Sequence, residues 1–565
     1  MKTYFKITNH ETIRDILLSS VKEFSQRCAF ILRKGSGYER ISFERLGREA
    51  RCLGANLLAR GWQGHHVAIL GANSYEWVLS FLAVVQGLGT AVPLDKGLTK
   101  EELMLFFGMG DVDAIICDRE FLGYVDEYMA DNRKLAVICM DEIPELCKSA
   151  EEDMPARYDA LEVRSEDTAL IVFTSGTTST SKAVVLSHGN IASNVNGLNE
   201  HESFGPDEVN FAFLPFHHVF GLTGQLYFIN VGASSAFCDG LRHIAKNLAE
   251  YKVTSFFCVP AIIEAMHKRI IKRAEESGKL ETMRKAQKIA RFLLKFGIDV
   301  RRKLFKDIHA ALGGSLRTLI SGASPLSPDI AQDLNDFGIL TIQGYGLTET
   351  SPTIASESIR KRRPGSIGTA MANTEVRIYE PDEQGIGELI VRGPGVMQGY
   401  YKNPEASTEV MRNGWLHTGD YARIDEDGFI FISGRKKNVI VLKNGKKVFP
   451  EELEALIAQL PYAVESIIWG CGDLSDPDIA LKLVYDRAEL AKHHALPENA
   501  DAKEVAAHIW KDIKEINEKT SRFKHISYLT VSEEPMEKTT SAKIRRAQEI
   551  AKIPEEDLVH VSQGK

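Results

Sequence analysis

The sequence predicts an α/β protein: a large N-terminal domain of doubly wound, mostly parallel sheets with a β-rich subdomain, followed by a small, mobile α+β C-terminal domain. Three observations predict it. Short apolar runs alternate with segments of helical periodicity as far as residue 343, the pattern of βαβ units. From Gly365 the pattern changes to short strands separated by turns. Beyond Asn438 strands and helices mix in one compact stretch. At 565 residues the chain has room for more than one core.

The elements follow in order. Residues 41–61 place Leu46, Ala50, Leu53, Leu57 and Leu58 on one face, as in an amphipathic helix, and Gly61 ends it. Residues 66–71 read as a buried strand, 75–88 as a helix and 90–94 as a strand. Further strands are expected at 114–117 and 135–139. Residues 142–167 are acidic and weakly patterned and read as a connecting segment. The run 169–173, Ala-Leu-Ile-Val-Phe, has the unbroken apolar character of a strand in a parallel sheet. A helix is expected at 190–198, and strands at 255–260, 316–320 and 340–343. The β-rich part offers strands at 375–379, 387–392, 421–424 and 428–432. The last stretch offers helices at 450–460 and 502–514, with strands at 466–469 and 479–484.

Composition sets limits. A net charge of −8 does not suit a protein that coats nucleic acid. The eight cysteines are scattered, without a C-x-x-C pair or a Cys/His cluster, which points to reduced thiols and no metal–thiolate site. The first fifteen residues hold no long apolar run, and the apolar stretch 78–93 is interrupted by polar residues and glycines. A cytoplasmic location is the expectation. One segment breaks the acidic pattern. Residues 268–306 carry fourteen Lys/Arg against four acids, and Ile289, Phe292, Leu293, Phe296, Val300, Leu304 and Phe305 recur at roughly helical spacing. This is either a solvated amphipathic helix pair or a face that meets an anionic membrane.

Several motifs carry chemistry. After the strand at 169–173 come Thr174, Ser175, Gly176, Thr177, Thr178, Ser179, Thr180, Ser181 and Lys182. Seven hydroxyls, a row of backbone N–H groups and an ammonium suit a polyphosphate, although a polar surface turn has the same composition. The spacing is not that of a Walker loop. His217 and His218 lie among aromatics, either as packing residues or as a wall of an active site. Gly322 and Ala323 sit in a small-residue turn, Ser-Gly-Ala-Ser-Pro. Gly344, Tyr345 and Gly346 end a strand, and Thr348 and Glu349 follow. Tyr345 offers a face for stacking and Glu349 a hard oxygen ligand for Mg²⁺; the alternative is a plain strand-end turn. Asp420 lies in Thr-Gly-Asp, Arg435 and Lys437 in Gly-Arg-Lys-Lys, and Lys543 in a basic, polar stretch at 537–546.

Taken in order, FTSGTTSTSK, LPFHHVFG, SGASP, QGYGLTET, GELIVRG, WLHTGDYARIDEDGFIFISGRKKNVI, GKKVFPEELE and KTTSAKIRR resemble the ordered motifs of the adenylate-forming superfamily. That superfamily includes acyl-CoA synthetases, peptide-synthetase adenylation domains and luciferases. The likeness runs from about residue 41 to 546, and the segment 268–306 and GKKVFPEELE are most similar to the long-chain fatty acyl-CoA synthetase branch. The resemblance implies that a carboxylate, a medium- or long-chain fatty acid in this branch, attacks ATP to give acyl-AMP and pyrophosphate. CoA then takes the acyl group. It implies that Thr174, Ser175, Gly176, Thr177, Thr178 and Lys182 hold the β- and γ-phosphates. Thr348 would donate to the phosphates and Glu349 bind Mg²⁺. Tyr345, following Gly344, would stack on adenine beside Gly322 and Ala323, while Asp420 and Arg435 would hold the ribose. His218 would line the acyl site and Lys543 bridge the carboxylate and α-phosphate. It implies a division into residues 1–436 and 437–565 with a hinge at Lys437. Alternatives are acyl transfer to a carrier-protein thiol, or a degenerate nucleotide- or acyl-AMP-binding protein. Where the superfamily has Gly, Pro and Gly in the phosphate loop, this chain has Ser179, Ser181 and Ala183. Ala542 replaces a glycine before Lys543, and Asn438 an acidic residue after the hinge.

Overall fold

Two sheets sandwich helices that are apolar on every side. The computed structural model describes residues 9–131, 134–148, 150–174, 181–201, 204–473, 475–497, 500–538, 544–554 and 557–560. A nine-stranded sheet runs Thr369–Ala370, Thr353–Ser356, Leu340–Gly346, Thr318–Ser321, Ser255–Cys258, Val209–Ala212, Ser234–Phe237, Cys28–Lys34, Gly37–Ser42. Its interior pairings are parallel and both its edges antiparallel. A seven-stranded sheet runs Gly399–Tyr400, Ala183–Ser187, Thr168–Phe173, Thr90–Leu94, His66–Leu70, Ala114–Cys117, Ala136–Cys139. Helices Tyr75–Val85 and Val219–Asn230 are buried along almost their whole lengths, as expected of helices without a polar face. One apolar cluster passes from Ile69 and Ala91 through Trp77, Leu222 and Leu226 to Phe30, Ala212 and Ile320. The two sheets therefore share one core across the helical layer.

The antiparallel strands Glu375–Tyr379, Gly387–Arg392, Trp415–Ile424, Met411–Arg412 and Ile430–Arg435 form a third sheet, the β-rich part expected from the turn spacing. A four-stranded sheet, Ala463–Cys471, Asp478–Tyr485, Tyr528–Ser532 and Val559–His560, packs with helices Pro450–Ile457 and Ala502–Glu518 around an apolar cluster of its own. That cluster includes Tyr462, Ile468, Leu481, Ile509, Trp510 and Ile513 and draws only on residues from Ile440 onward.

Several local expectations need correction. The first amphipathic helix starts at Phe43, not at residue 41. Ser42 accepts a hydrogen bond from the Arg45 amide and caps it, and Ile41 belongs to the preceding hairpin. Residues 142–167 are more than a connection: they hold helices Ile143–Leu146 and Met154–Asp159, too short to show a period. Tyr158 is buried and donates to the Ala83 carbonyl at 2.6 Å. Its ring fills the space beside Gly54, where a Cβ would lie 2.1 Å from it. The strand Thr168–Phe173 is parallel to Thr90–Leu94 on one side only; on the other it forms a hairpin with Ala183–Ser187. All eight cysteines are free thiols.

Candidate active site

Two segments at the carboxyl ends of strands and one antiparallel strand pair hold the candidate site residues. The first is bounded by Thr174 and Lys182. The Thr174 amide donates to the Lys182 carbonyl at 2.9 Å, and the Lys182 amide to Thr174 Oγ1 at 3.3 Å, so the ends of the loop are zipped together. Ser175, Gly176, Thr177 and Thr178 lie outside the described residues. Ala183, where the superfamily has glycine, is already a strand residue paired with Phe173, a position that needs no glycine.

The second region follows Leu340–Gly346. Gly346 packs against its own chain: a Cβ there would lie 1.8 Å from the Pro352 carbonyl oxygen. Gly344 meets nothing closer than 3.7 Å. The hairpin requires a glycine at position 346, whereas nothing crowds position 344. Thr348 and Glu349 then enter a short 3-10 turn, Thr348–Thr350. Buried Asn194 donates to the carbonyls of Thr350 and Thr353 at 3.2 and 2.9 Å and fixes that turn. Tyr400 donates to Glu349 Oε1 at 2.9 Å, and the Lys182 ammonium lies 4.6 Å from the Tyr400 ring centre. Lys182, Tyr400 and Glu349 thus form one chain of contacts between two regions 167 positions apart in sequence. Glu349 Oε2 makes no hydrogen bond among the described residues, so this half-buried carboxylate retains a hard oxygen suited to Mg²⁺.

The third region spans strands Trp415–Ile424 and Ile430–Arg435, whose register sets Asp420 opposite Arg435. Arg435 Nε lies 2.9 Å from Asp420 Oδ1, and the Tyr345 hydroxyl donates to Asp420 Oδ2. Asp420 is 2% exposed, so these partners hold a buried charge. Burial first, then the Asp420 carboxylate, push the Tyr345 phenol well above its ordinary value and keep it a donor. Tyr345 was expected as a stacking face; here its hydroxyl also ties the second region to the third.

Gly322 and Ala323 follow strand Thr318–Ser321. A Cβ on Gly322 would lie 2.7 Å from the Phe220 ring, so this glycine admits an aromatic wall. Ala323 takes a left-handed φ of 73°. His218 immediately precedes helix Val219–Asn230, and His217 Nε2 stands 3.3 Å from Asp95 Oδ2. Asn73 holds their loop by donating to the Leu214 carbonyl at 2.7 Å and accepting from the Phe216 amide at 3.0 Å. Lys437 lies in the 3-10 turn Lys436–Asn438; desolvation, then the charges of Arg435 and Arg546, lower its pKa. Glu451 of the following helix accepts from the Arg435 amide at 3.4 Å and from Asn438 Nδ2 at 2.6 Å. Lys543 lies outside the described residues.

Two residues escaped the sequence reading. Tyr400 is one. The other is Glu388, 4% exposed, which accepts from His417 Nδ1 (3.0 Å), the Gly419 amide (3.2 Å) and Lys436 Nζ (2.8 Å). It fixes Gly419, the strand residue before Asp420, and Lys436, the residue before Lys437. Burial raises its pKa, but Lys436 and His417 outweigh that and hold it below the ordinary value. A carboxylate within the otherwise apolar strand Gly387–Arg392 was the available signal.

The architecture is that of an adenylate-forming enzyme. ATP-bound MatB from Rhodopseudomonas palustris matches with a TM-score of 0.76 at 23% identity, over 96% of this chain and 98% of that one. The o-succinylbenzoate CoA synthetase MenE from Bacillus subtilis, in complex with OSB-AMP, matches at 0.74 and 21%, over 96% and 98%. Residues 18–401 match the family model "AMP-binding enzyme", and residues 437–556 the model "AMP-binding enzyme C-terminal domain". The chain belongs to the AMP-binding enzyme family. Long chain acyl-CoA synthetase 1 of Arabidopsis thaliana is 28% identical over 93% of this chain and 88% of its own length. Long-chain-fatty-acid–CoA ligase FadD15 of Mycobacterium tuberculosis is 27% identical over 75% and 74%. Such relatives are, by name, long-chain acyl-CoA synthetases and long-chain-fatty-acid–CoA ligases.

Proposed function

We propose that the protein activates a medium- or long-chain fatty acid with ATP, forming acyl-AMP and then the CoA thioester, in the cytoplasm. The observation that carries this reading is a pair of contact chains, Lys182–Tyr400–Glu349 and Tyr345–Asp420–Arg435, joined through the short segment 345–349. Two anions, a carboxylate and a triphosphate, must meet there, which requires fixed cations and donors. Lys182, with the hydroxyl-rich loop, would take the β- and γ-phosphates, and Thr348 would donate beside it. Glu349 would hold Mg²⁺, which supplies charge neutralisation on the triphosphate. Asp420, paired with Arg435, would accept from the ribose hydroxyls, with the Tyr345 ring and Gly322–Ala323 enclosing the base. Lys543 would approach from residues 437–565 for the first half-reaction only, with the hinge at Lys437 moving it away before CoA attacks.

The fatty-acid reading draws support from the names of the relatives, long chain acyl-CoA synthetase and long-chain-fatty-acid–CoA ligase. The void among Phe213, Phe216, Gly224 and Phe257 is only about 10 Å³, room for a water and not for an alkyl chain. The test is thioester formation with acids from acetate to stearate and with benzoate, with CoA and a holo-carrier protein offered in parallel. Turnover should favour aliphatic acids longer than butyrate, with CoA as acceptor. A preference for carrier protein would move the protein to the other acceptor class. Absence of acid-dependent pyrophosphate exchange with every acid would mark a binding protein that has lost catalysis.

A further inference from the structure

No helix among the described residues is long and apolar enough to cross a membrane. The basic segment 268–306 nevertheless presents an unusual surface. Helix Leu280–Leu294 turns Met283, Gln287 and Ala290 inward. Arg284 reaches Asp333 at 2.8 Å, and Arg291 pairs with Asp336, both acids lying on helix Pro328–Phe337. These contacts settle which side faces the protein. On the other side Ile289, Phe292 and Phe296 are 54%, 59% and 67% exposed. Ile289 and Phe292, at i and i+3, share one helix face; Phe296 lies in the turn just beyond the helix, and its ring meets that of Phe292 at 5.2 Å. Lys285, Lys288 and Lys295 flank this stripe and make no ion pair among the described residues. Ile298 and Leu304, 52% and 47% exposed, extend the apolar surface beyond the helix.

We infer that this face docks on an anionic lipid bilayer, with Ile289, Phe292 and Phe296 entering the headgroup region and Lys285, Lys288 and Lys295 lying against lipid phosphates. Charge argues for it: the chain as a whole is at −8, yet this segment holds an excess of ten positive charges. The side-chain types argue for lipid over protein. Lysine is depleted where proteins meet one another, whereas lysines around a phenylalanine stripe lay their stems on acyl chains and keep their ammonium groups at the surface. Leaving three large apolar side chains in water also forgoes the free energy of burying them, which a bilayer interface recovers. The inference does not depend on turnover. If the substrate is a fatty acid, the same contact places the protein where that substrate partitions, but vesicle binding and acid activation are measured separately and fail separately.

The test is co-sedimentation of the full-length protein with phosphatidylcholine vesicles, with and without phosphatidylglycerol. Binding should require phosphatidylglycerol and weaken with salt. The triple variant K285E/K288E/K295E should lower partitioning about a hundredfold or more, from about 1 kcal/mol per lysine. F292S/F296S should reduce it further at high salt, where the apolar contribution dominates. All these residues are exposed and none has a part in the proposed nucleotide or acyl site, so both variants should keep solution activity and cooperative unfolding. Equal binding to both vesicles, no binding to either, or variants that bind like the parent would overturn the inference; a soluble protein partner would then be the occupant to seek.

Discussion

Tyr400 shows how much one side chain contributes when it lies between two others. Its hydroxyl orients Glu349, and its ring faces the Lys182 ammonium, a contact typically worth about 0.5–1 kcal/mol at a partly exposed site. Glu349→Gln retains an acceptor for Tyr400 and removes the charge, so the fold should persist. ATP–pyrophosphate exchange should fall about a hundredfold or more, measured beside an unfolding curve that matches the parent. Lys543→Ala tests the other end of the reaction. It should lose most acyl-AMP formation yet still convert supplied acyl-AMP to thioester; equal loss of both halves would remove Lys543 from its assigned role. Lys182, Glu349, Asp420 and Arg435 were legible in the sequence because each sits in a short motif. Tyr400 and Glu388 were not, because their partners lie 51 and 29 or more positions away and no local pattern announces the contact.

At the scale of elements, the helix Leu280–Leu294 is amphipathic in both directions. Its inner face is held by Asp333, which receives His267 at 2.8 Å, Arg284 at 2.8 Å and Gln287 at 2.9 Å. Burial alone would raise the Asp333 pKa, but hydrogen bonds from His267 and Arg284 outweigh it and hold the carboxyl down at about 2. A carboxyl depressed on folding stabilises above its unfolded pKa, and that contribution fades as pH falls through the folded value. From an unfolded pKa of about 4 the difference corresponds to about 2–3 kcal/mol at neutral pH. Asp333→Asn should therefore unfold at lower urea than the parent at pH 7, with the gap closing as the pH approaches 2. A gap independent of pH would mean that packing, not charge, anchors the helix. The sequence separated the apolar from the basic positions here but left open which apolar residues face inward. Met283 and Ala290 are core, while Phe292 and Phe296 are solvent-facing, and only the acids on a neighbouring helix decide it.

At the scale of the whole molecule, two sets of apolar residues do not mix. The clusters from Ile13 to Ile430 belong to the sheets and their helices, and the cluster from Ile440 to Leu529 stands apart. Contacts cross between residues 1–436 and 437–565 where Glu451 accepts from the Arg435 amide and where the Tyr421 ring meets Phe449 at 5.8 Å and the Lys447 ammonium at 4.5 Å. A boundary with few such contacts permits relative motion, as the role proposed for Lys543 would require. Two separate cores should unfold separately. Calorimetry should resolve two transitions, and residues 437–565 expressed alone should retain the smaller one; a single cooperative transition in the intact chain would show that the boundary is rigidly coupled.

What the sequence determined by itself is the class of fold, most of the elements beyond residue 41 and the charged residues proposed for nucleotide binding. Apolar periodicity reports local structure directly, and phosphate and ribose chemistry needs particular residue types at short spacing. What only the tertiary structure decided is which of those groups touch. Tyr345 meets Asp420, Tyr400 joins Lys182 to Glu349, and Glu388 ties Gly419, the strand residue before Asp420, to Lys436. The physical reason is that a contact depends on how sheets and hairpins bring remote strands into register, and register is set by packing over the whole core. The same holds for the basic helix: its composition was visible in the chain, but the side it turns outward was settled by Asp333 and Asp336.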